Sequence, residues 1–277
     1  MRRIPTCVLS NAAPPAFSDG HAVDRFVEIG SFTKVITGTA LTCMAEAGML
    51  ALDDPLERWL PATPGTGITL LDLARHTSGL PRLPPRIARR DPYAKFDRRT
   101  VHQLLSRLDT IATCPPGQRE EYSNLGYAVL GEALTAAAGT TYEELVTKYV
   151  LRPLDITEVT ATPDPGTYLL ARSRLGRARQ PWTMHGAILP AGGLWATPRA
   201  AADLVVRLLI ERRLGDPAPS WQTAGSLRWH NGATRDASLF AGAMDDGRWV
   251  MIHRLGGAPE ETDQAGIEVL RRGRKTL

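Results

Sequence analysis

The sequence predicts an α/β fold of the α+β type. An antiparallel sheet is built from the N- and C-terminal segments with flanking helices, and a mainly helical lobe is inserted between them. Three observations carry this. Both ends of the 277-residue chain carry strand signals, the middle carries helical periodicity, and no internal repeat is present. The expected division is residues 1–58 with 216–277 for the sheet and 59–215 for the lobe, with a site between the two.

Residues 4–9 (IPTCVL) and 25–29 (RFVEI) read as short strands joined by a loop over 11–20. From Ser31 the pattern turns helical. Val35, Ile36, Leu41, Met44, Ala45 and Leu50 share a face, and Gly48 is the stop signal. Pro55 and Pro61 then turn the chain out. Helices are expected within 69–81, 99–111, 114–139, 141–154 and 191–213, with Thr141 and Glu144 as a capping box. Three consecutive strands follow over 226–257, with turns at Gly232 and at Asp246-Gly247, and a terminal helix over 261–275.

Composition excludes several classes. Hydrophobic residues make up 43% and charged residues 22%, as in ordinary globular chains. No apolar run reaches the ~18 residues of a membrane span. The net charge of +4 is carried by scattered arginines, with small clusters at 86–90 and 271–275. That dispersal reads as a solvated basic surface, so no nucleic-acid partner is expected. Cys7, Cys43 and Cys114 are odd in number and far apart, which predicts neither disulfides nor metal ligation. The N-terminus has no secretory apolar core, and cytoplasm is the expected compartment. No H-E-x-x-H occurs, so no catalytic zinc is expected.

The chain has four lysines, and only Lys34 falls in an apolar helix. Ser31 lies one turn before it on the same face. A serine hydroxyl needs a base, and lysine can be one only when neutral. Burial and the positive end of a helix both disfavour the ammonium. Taken alone, the pair reads as an N-cap serine followed by a surface lysine. Downstream companions change that. Tyr122-Ser123-Asn124 follows a Pro-Pro-Gly loop and opens a helix, and His230-Asn231-Gly232 lies in a strand. S-x-x-K with two such later triplets marks penicillin-interacting serine enzymes.

Here the chain resembles the class C β-lactamase, D-alanyl-D-alanine peptidase and serine esterase family. IGSFTKVITG, LLDLARHTSGLP, PPGQREEYSNLGYAVLGEAL, RPLDI, PAGGLWATPRAAADL and HNGAT look like its successive blocks over most of residues 26–257. The resemblance implies a β-lactamase/transpeptidase-like fold and an acyl-enzyme on Ser31. Lys34 would activate the serine, and Tyr122 would share proton transfer as a phenolate favoured by nearby positive charge. Asn124 would bond the substrate amide or Lys34. The N–H groups of Ser31 and Ala233 would form the oxyanion hole. His230, Asn231 and Gly232 would bind substrate, with Gly232 leaving room for it along the strand. No cofactor is implied.

Three departures shape the expected function. Ser31 comes early, which leaves a short segment to complete the sheet. His230 stands where lactamases and peptidases commonly carry lysine, which points toward the esterase and acyltransferase branches. Arg235, next to Asp236, would bind an anionic substrate group or pair with that aspartate. His76 is expected to be structural; His185 either packs or lines the cleft, and Trp182 and Trp195 either pack in the core or form an apolar wall of the pocket. The expected partner is a small-molecule acyl donor, with water, an amine or an alcohol as acceptor, and natural-product tailoring is one setting. The alternatives are a β-lactamase or D-alanyl-D-alanine peptidase-like hydrolase, and a non-catalytic binding protein.

Overall fold

The computed structural model describes residues 4–83, 91–173 and 175–272. Strands β1 (Thr6–Ser10), β2 (Ala16–Ser18) and β3 (Val27–Glu28) lead into a tight turn at Gly30–Phe32 and helix α1 (Thr33–Glu46). Helices α2 (Leu70–Ala74), α3 (Arg98–Leu105), α4 (Leu108–Ile111), α5 (Asn124–Ala138) and α6 (Tyr142–Val146) follow. Then come β4 (Val159–Thr160), α7 (Leu189–Gly192), β5 (Trp195–Ala196) and α8 (Pro198–Val205). The chain ends in β6 (Gln222–Ala224), β7 (Leu227–Ala233), β8 (Ser238–Met244), β9 (Trp249–Arg254) and α9 (Pro259–Arg272).

The main sheet has six strands in the order β2-β1-β9-β8-β7-β6. Every pairing is antiparallel, and β1 lies on β9 with Cys7 opposite His253. The two chain ends therefore share one sheet. Alternation along β8 sends Leu239, Ala241 and Ala243 into the main core, while Phe240 meets Val250, Ile252 and Leu270 beneath α9. Gly266 of α9 gives the Phe240 ring its seat, since a Cβ there would fall 2.1 Å from that ring. A second sheet, β3-β5-β4, has three strands.

Helix α1 is buried from Thr33 through Leu41, as expected of a helix apolar on nearly all sides. It packs against α5, α6 and α7, so the first turn of α1 points into the seam between the helices and the sheet.

Several expectations change. The predicted loop over 11–20 contains β2, and β6 had no strand signal. Gly232 is inside β7 rather than at a turn; the reversal comes at Thr234, whose N–H donates to Ala237 O at 2.9 Å. The predicted helix over 69–81 stops at Ala74, because His76 takes a left-handed φ of +62°. The helix over 99–111 breaks into α3 and α4 at Ser106-Arg107. Helix α8, assigned by sequence to the helical lobe, packs across β1, β8 and β9. The Thr141–Glu144 capping box is present. The arginine cluster at 86–90 and residues 273–275 lie outside the described residues.

Candidate active site

Two glycines bring Ser31 to the sheet. Gly30 has φ +51°, and a Cβ on it would sit 2.9 Å from both N and O of Ala233. A Cβ on Gly232 would sit 2.0 Å from Ile29 O and 3.3 Å from Phe32 N. The turn carrying Ser31 therefore presses directly on the end of β7. The space at Gly232, expected to receive substrate, is filled by the backbone of that turn. Ser31 is half-buried, Ala233 is exposed, and the N–H groups at such a turn have no partner within the helix that follows.

Lys34 is fully buried. Its Nζ lies 3.1 Å from Ser31 Oγ, 2.8 Å from Asn124 Oδ1 and 2.5 Å from the Ala191 carbonyl. Burial, and then the Arg82 guanidinium, push its pKa well below the ordinary lysine value. The bonding fits that direction. Ala191 O and Asn124 Oδ1 can only accept, and a neutral amine has two N–H donors and one lone pair. In a neutral amine, donors to the two carbonyl oxygens would leave the lone pair for the Ser31 hydroxyl.

Tyr122 is half-buried, its hydroxyl bonded to Ser31 and its ring centroid 4.8 Å from Lys34 Nζ. Burial pushes the phenol up to about 12, ahead of the lowering effects of Ser31 and Arg82. This corrects the expected phenolate: desolvation outweighs the nearby charge, and the group is a phenol at neutral pH.

Loop 76–82 is the template for the tyrosine segment. Glu121 N–H donates to His76 O at 2.7 Å, Ser123 N–H to His76 Nδ1 at 3.1 Å and Asn124 N–H to Arg82 O at 2.9 Å. Ser123 then caps α5 by accepting from Gly126 N–H at 2.8 Å. Gly79, at φ +74°, lies so close to the Cys114 carbonyl that a Cβ would fall 2.1 Å from it. His76 is buried, its ring 4.5 Å from that of Tyr122. Burial, then Lys34 and His230, push its pKa down to about 3.

The other predicted site residues divide. Asn124 bonds Lys34 and donates Nδ2 to Tyr93 Oη at 2.7 Å. His230 is buried, with Nδ1 2.6 Å from Asn231 O; burial, then Lys34, push its pKa down to about 3, so the ring is neutral. Asn231 does not join the site. Successive side chains of a strand alternate faces, and Asn231 donates to Asp263 of α9 at 2.9 Å. Arg235 donates to Gln180 O at 3.4 Å, and Asp236 pairs with Arg179 at 2.7 Å. His185 is exposed rather than packed. Trp195 packs against Tyr168 with ring centroids 5.3 Å apart.

Sequence reasoning missed three groups. The Ala191 carbonyl is delivered by α7, seated where Pro190 fills the space left by Gly131 of α5. Tyr93 holds Asn124 and meets Trp182 edge-on, with centroids 6.2 Å apart. Arg82 places its guanidinium 5.3 Å from the Tyr122 ring centroid. The PAGG and HTSGLPR stretches were the available signals, but nothing local says which of their atoms turn inward.

A frame of antiparallel sheet and helices that sets a serine, a buried lysine and a tyrosine at their seam is that of the β-lactamases and penicillin-binding proteins. The chain belongs to the Beta-lactamase family, whose profile matches residues 19–272, and members of that family are serine hydrolases. It is 34% identical over 186 residues to the D-alanyl-D-alanine-carboxypeptidase/endopeptidase AmpH of Escherichia coli, covering 64% of this chain and 47% of that protein. It is 30% identical over 214 residues to the putative beta-lactamase-like 1 of Homo sapiens, covering 72% and 42%. The chain thus spans about half the length of these relatives or less. The beta-lactamase/D-alanine carboxypeptidase of Yersinia pestis superposes with a TM-score of 0.77 at 21% identity, covering 97% of this chain and 92% of that one. The D-amino acid amidase of Ochrobactrum anthropi gives 0.78 at 18%, covering 98% and 94%.

Proposed function

We propose that the chain is a serine acyl-enzyme-forming enzyme acting on an ester or amide of a small metabolite. The observation that carries this reading is the setting of Lys34, a fully buried amine 3.1 Å from Ser31 Oγ and held by the Asn124 Oδ1 and Ala191 carbonyl oxygens. Ser31 Oγ attacks the carbonyl carbon as its proton moves to Lys34 Nζ. The electron pair of the C=O moves onto oxygen, which meets the N–H groups of Ser31 and Ala233. Collapse expels the alcohol or amine, which takes a proton from the Tyr122 phenol, and Lys34 reprotonates that phenol. Water, an amine or an alcohol then attacks the acyl carbon, gives its proton to Lys34, and the proton returns to Ser31. Hydrolysis and acyl transfer share this intermediate and differ only in the acceptor.

A D-alanyl-D-alanine peptidase-like hydrolase is the second reading, favoured by what the names of the relatives say of those proteins. The buried neutral His230 stands against it, because it offers no fixed cation on the strand for a substrate carboxylate. No described helix is long and apolar enough to cross a membrane. The three thiols are free, which suits a reducing compartment such as the cytoplasm.

A serine-directed phosphonate read by intact mass tests the nucleophile. One adduct on the wild type and none on Ser31→Ala is expected; an equal adduct on both sinks the assignment and leaves a binding protein. Incubating the enzyme with an ester, with and without candidate amines, separates the two outcomes of the acyl-enzyme. Amide product exceeding free acid identifies a transferase of the natural-product-tailoring type.

A further inference from the structure

We propose that Arg82 determines specificity by receiving a carboxylate carried by the acyl donor on the Tyr122 side of the site. This rests on Ser31 being the nucleophile. Arg82 is exposed, yet both ends of the residue are placed. Its carbonyl accepts from Asn124 N–H at 2.9 Å, which fixes its backbone beside the start of α5. Its guanidinium Cζ lies 5.3 Å from the centroid of the same ring that Lys34 Nζ approaches at 4.8 Å. A guanidinium resting on a ring keeps its planar fork of donors for a ligand, and that fork matches a carboxylate.

The surroundings leave this cation for a ligand. None of the ion pairs among the described residues involves Arg82. The acids Asp91, Asp236 and Glu28 are held by other donors. Asp91 accepts from Tyr93 N–H at 3.1 Å and Thr183 N–H at 2.9 Å, and Asp236 pairs with Arg179 at 2.7 Å. Glu28 accepts from the Thr234 hydroxyl at 3.2 Å, and burial pushes its carboxyl up to about 7. On the strand side His230 is neutral. The charge of Arg82 also acts on Lys34, Tyr93 and Tyr122, which places it within reach of the reacting groups.

The test compares two activated esters of one shape: para-nitrophenyl hydrogen glutarate, and the neutral ester in which a methyl ketone replaces the carboxylate. Wild type is expected to favour the anionic ester in kcat/KM. Arg82→Gln is expected to lose about tenfold on the anionic ester, and at least fivefold less on the neutral one, as for one charge-assisted hydrogen-bonded contact. Arg82→Lys should recover part of the preference, and added salt should erode it in the wild type. Equal losses on both esters would overturn the proposal and make Arg82 a brace for Tyr122. An unchanged ratio would overturn it as well. No nitrophenolate burst and no Ser31 adduct with either ester would remove the acyl-enzyme reading itself, and this proposal with it.

Discussion

Lys34 and Arg82 approach one tyrosine ring, at 4.8 and 5.3 Å, and the molecule treats the two basic side chains in opposite ways. The floor of the site is closed: Lys34 is fully buried, Ser31, Asn124 and Ala191 lie within hydrogen-bond reach of its Nζ, and its ammonium is disfavoured. The rim is open, and Arg82 is exposed there. Burial of the head group disfavours the charge on Lys34, while Arg82 stays at the surface. The choice of residue follows: lysine surrenders its proton on desolvation, whereas arginine does not.

Exchanging the two chemistries should have the largest effect. Lys34→Arg is expected to slow acylation by on the order of 10³-fold or more, since an arginine there stays charged and has no lone pair for Ser31. Lys34→Met should also abolish acylation, and it removes the cost of an amine with a lowered pKa, a cost present wherever the unfolded chain would protonate it. That cost shrinks as pH rises toward the ordinary lysine value. Phosphonate labelling rates and urea midpoints read the two effects. A stability difference between wild type and Lys34→Met that does not change as pH rises toward the ordinary lysine value would deny that burial disfavours the ammonium.

Buried histidines also predict acid sensitivity. His76, His230 and His253 are buried, and desolvation is the first cause that pushes each down to about 3. Below pH 6.5 the unfolded chain takes up protons that the folded rings refuse. Stability is therefore full above that value and falls with pH by about 1.4 kcal/mol per pH unit for each ring. Glu28, raised to about 7, has the opposite sign and offsets part of the loss. Thermal melts at pH 7.5 and 5.5 measure the balance, and a flat profile would contradict neutral, buried histidines.

Smaller effects come from the walls. Gly232→Ala drives a Cβ to 2.0 Å from Ile29 O, and a cost of about 3 kcal/mol is expected in urea unfolding, as for overpacking against backbone. At the rim, Arg179→Gln should change stability by less than ~0.5 kcal/mol, because the Arg179 side chain is half exposed and water screens the pair with Asp236. Equal costs at the two positions would erase the distinction between floor and rim.

Much of the fold was legible. The alternation along β7, β8 and β9 and the apolar run of α1 are local patterns that any packing solution must bury. β2 and β6 were not legible, because each has only three residues and is defined by the neighbour it pairs with. The end of α2 was misplaced because His76 adopts a left-handed conformation that serves Ser123 and Glu121 rather than any local preference.

At the site, the sequence by itself determined the cast and the order: Ser31 and Lys34 one turn apart, a tyrosine segment ahead of α5, and a glycine in β7. These follow from spacing, which the covalent chain fixes. Only the tertiary structure decided that burial disfavours the Lys34 ammonium, that Tyr122 is a phenol, that Asn231 turns to α9 and that Arg82 stands over the tyrosine. Those outcomes depend on desolvation and on partners remote in the chain. Lys34 meets Asn124 across 90 positions and Ala191 across 157, and no local pattern encodes contacts of that range.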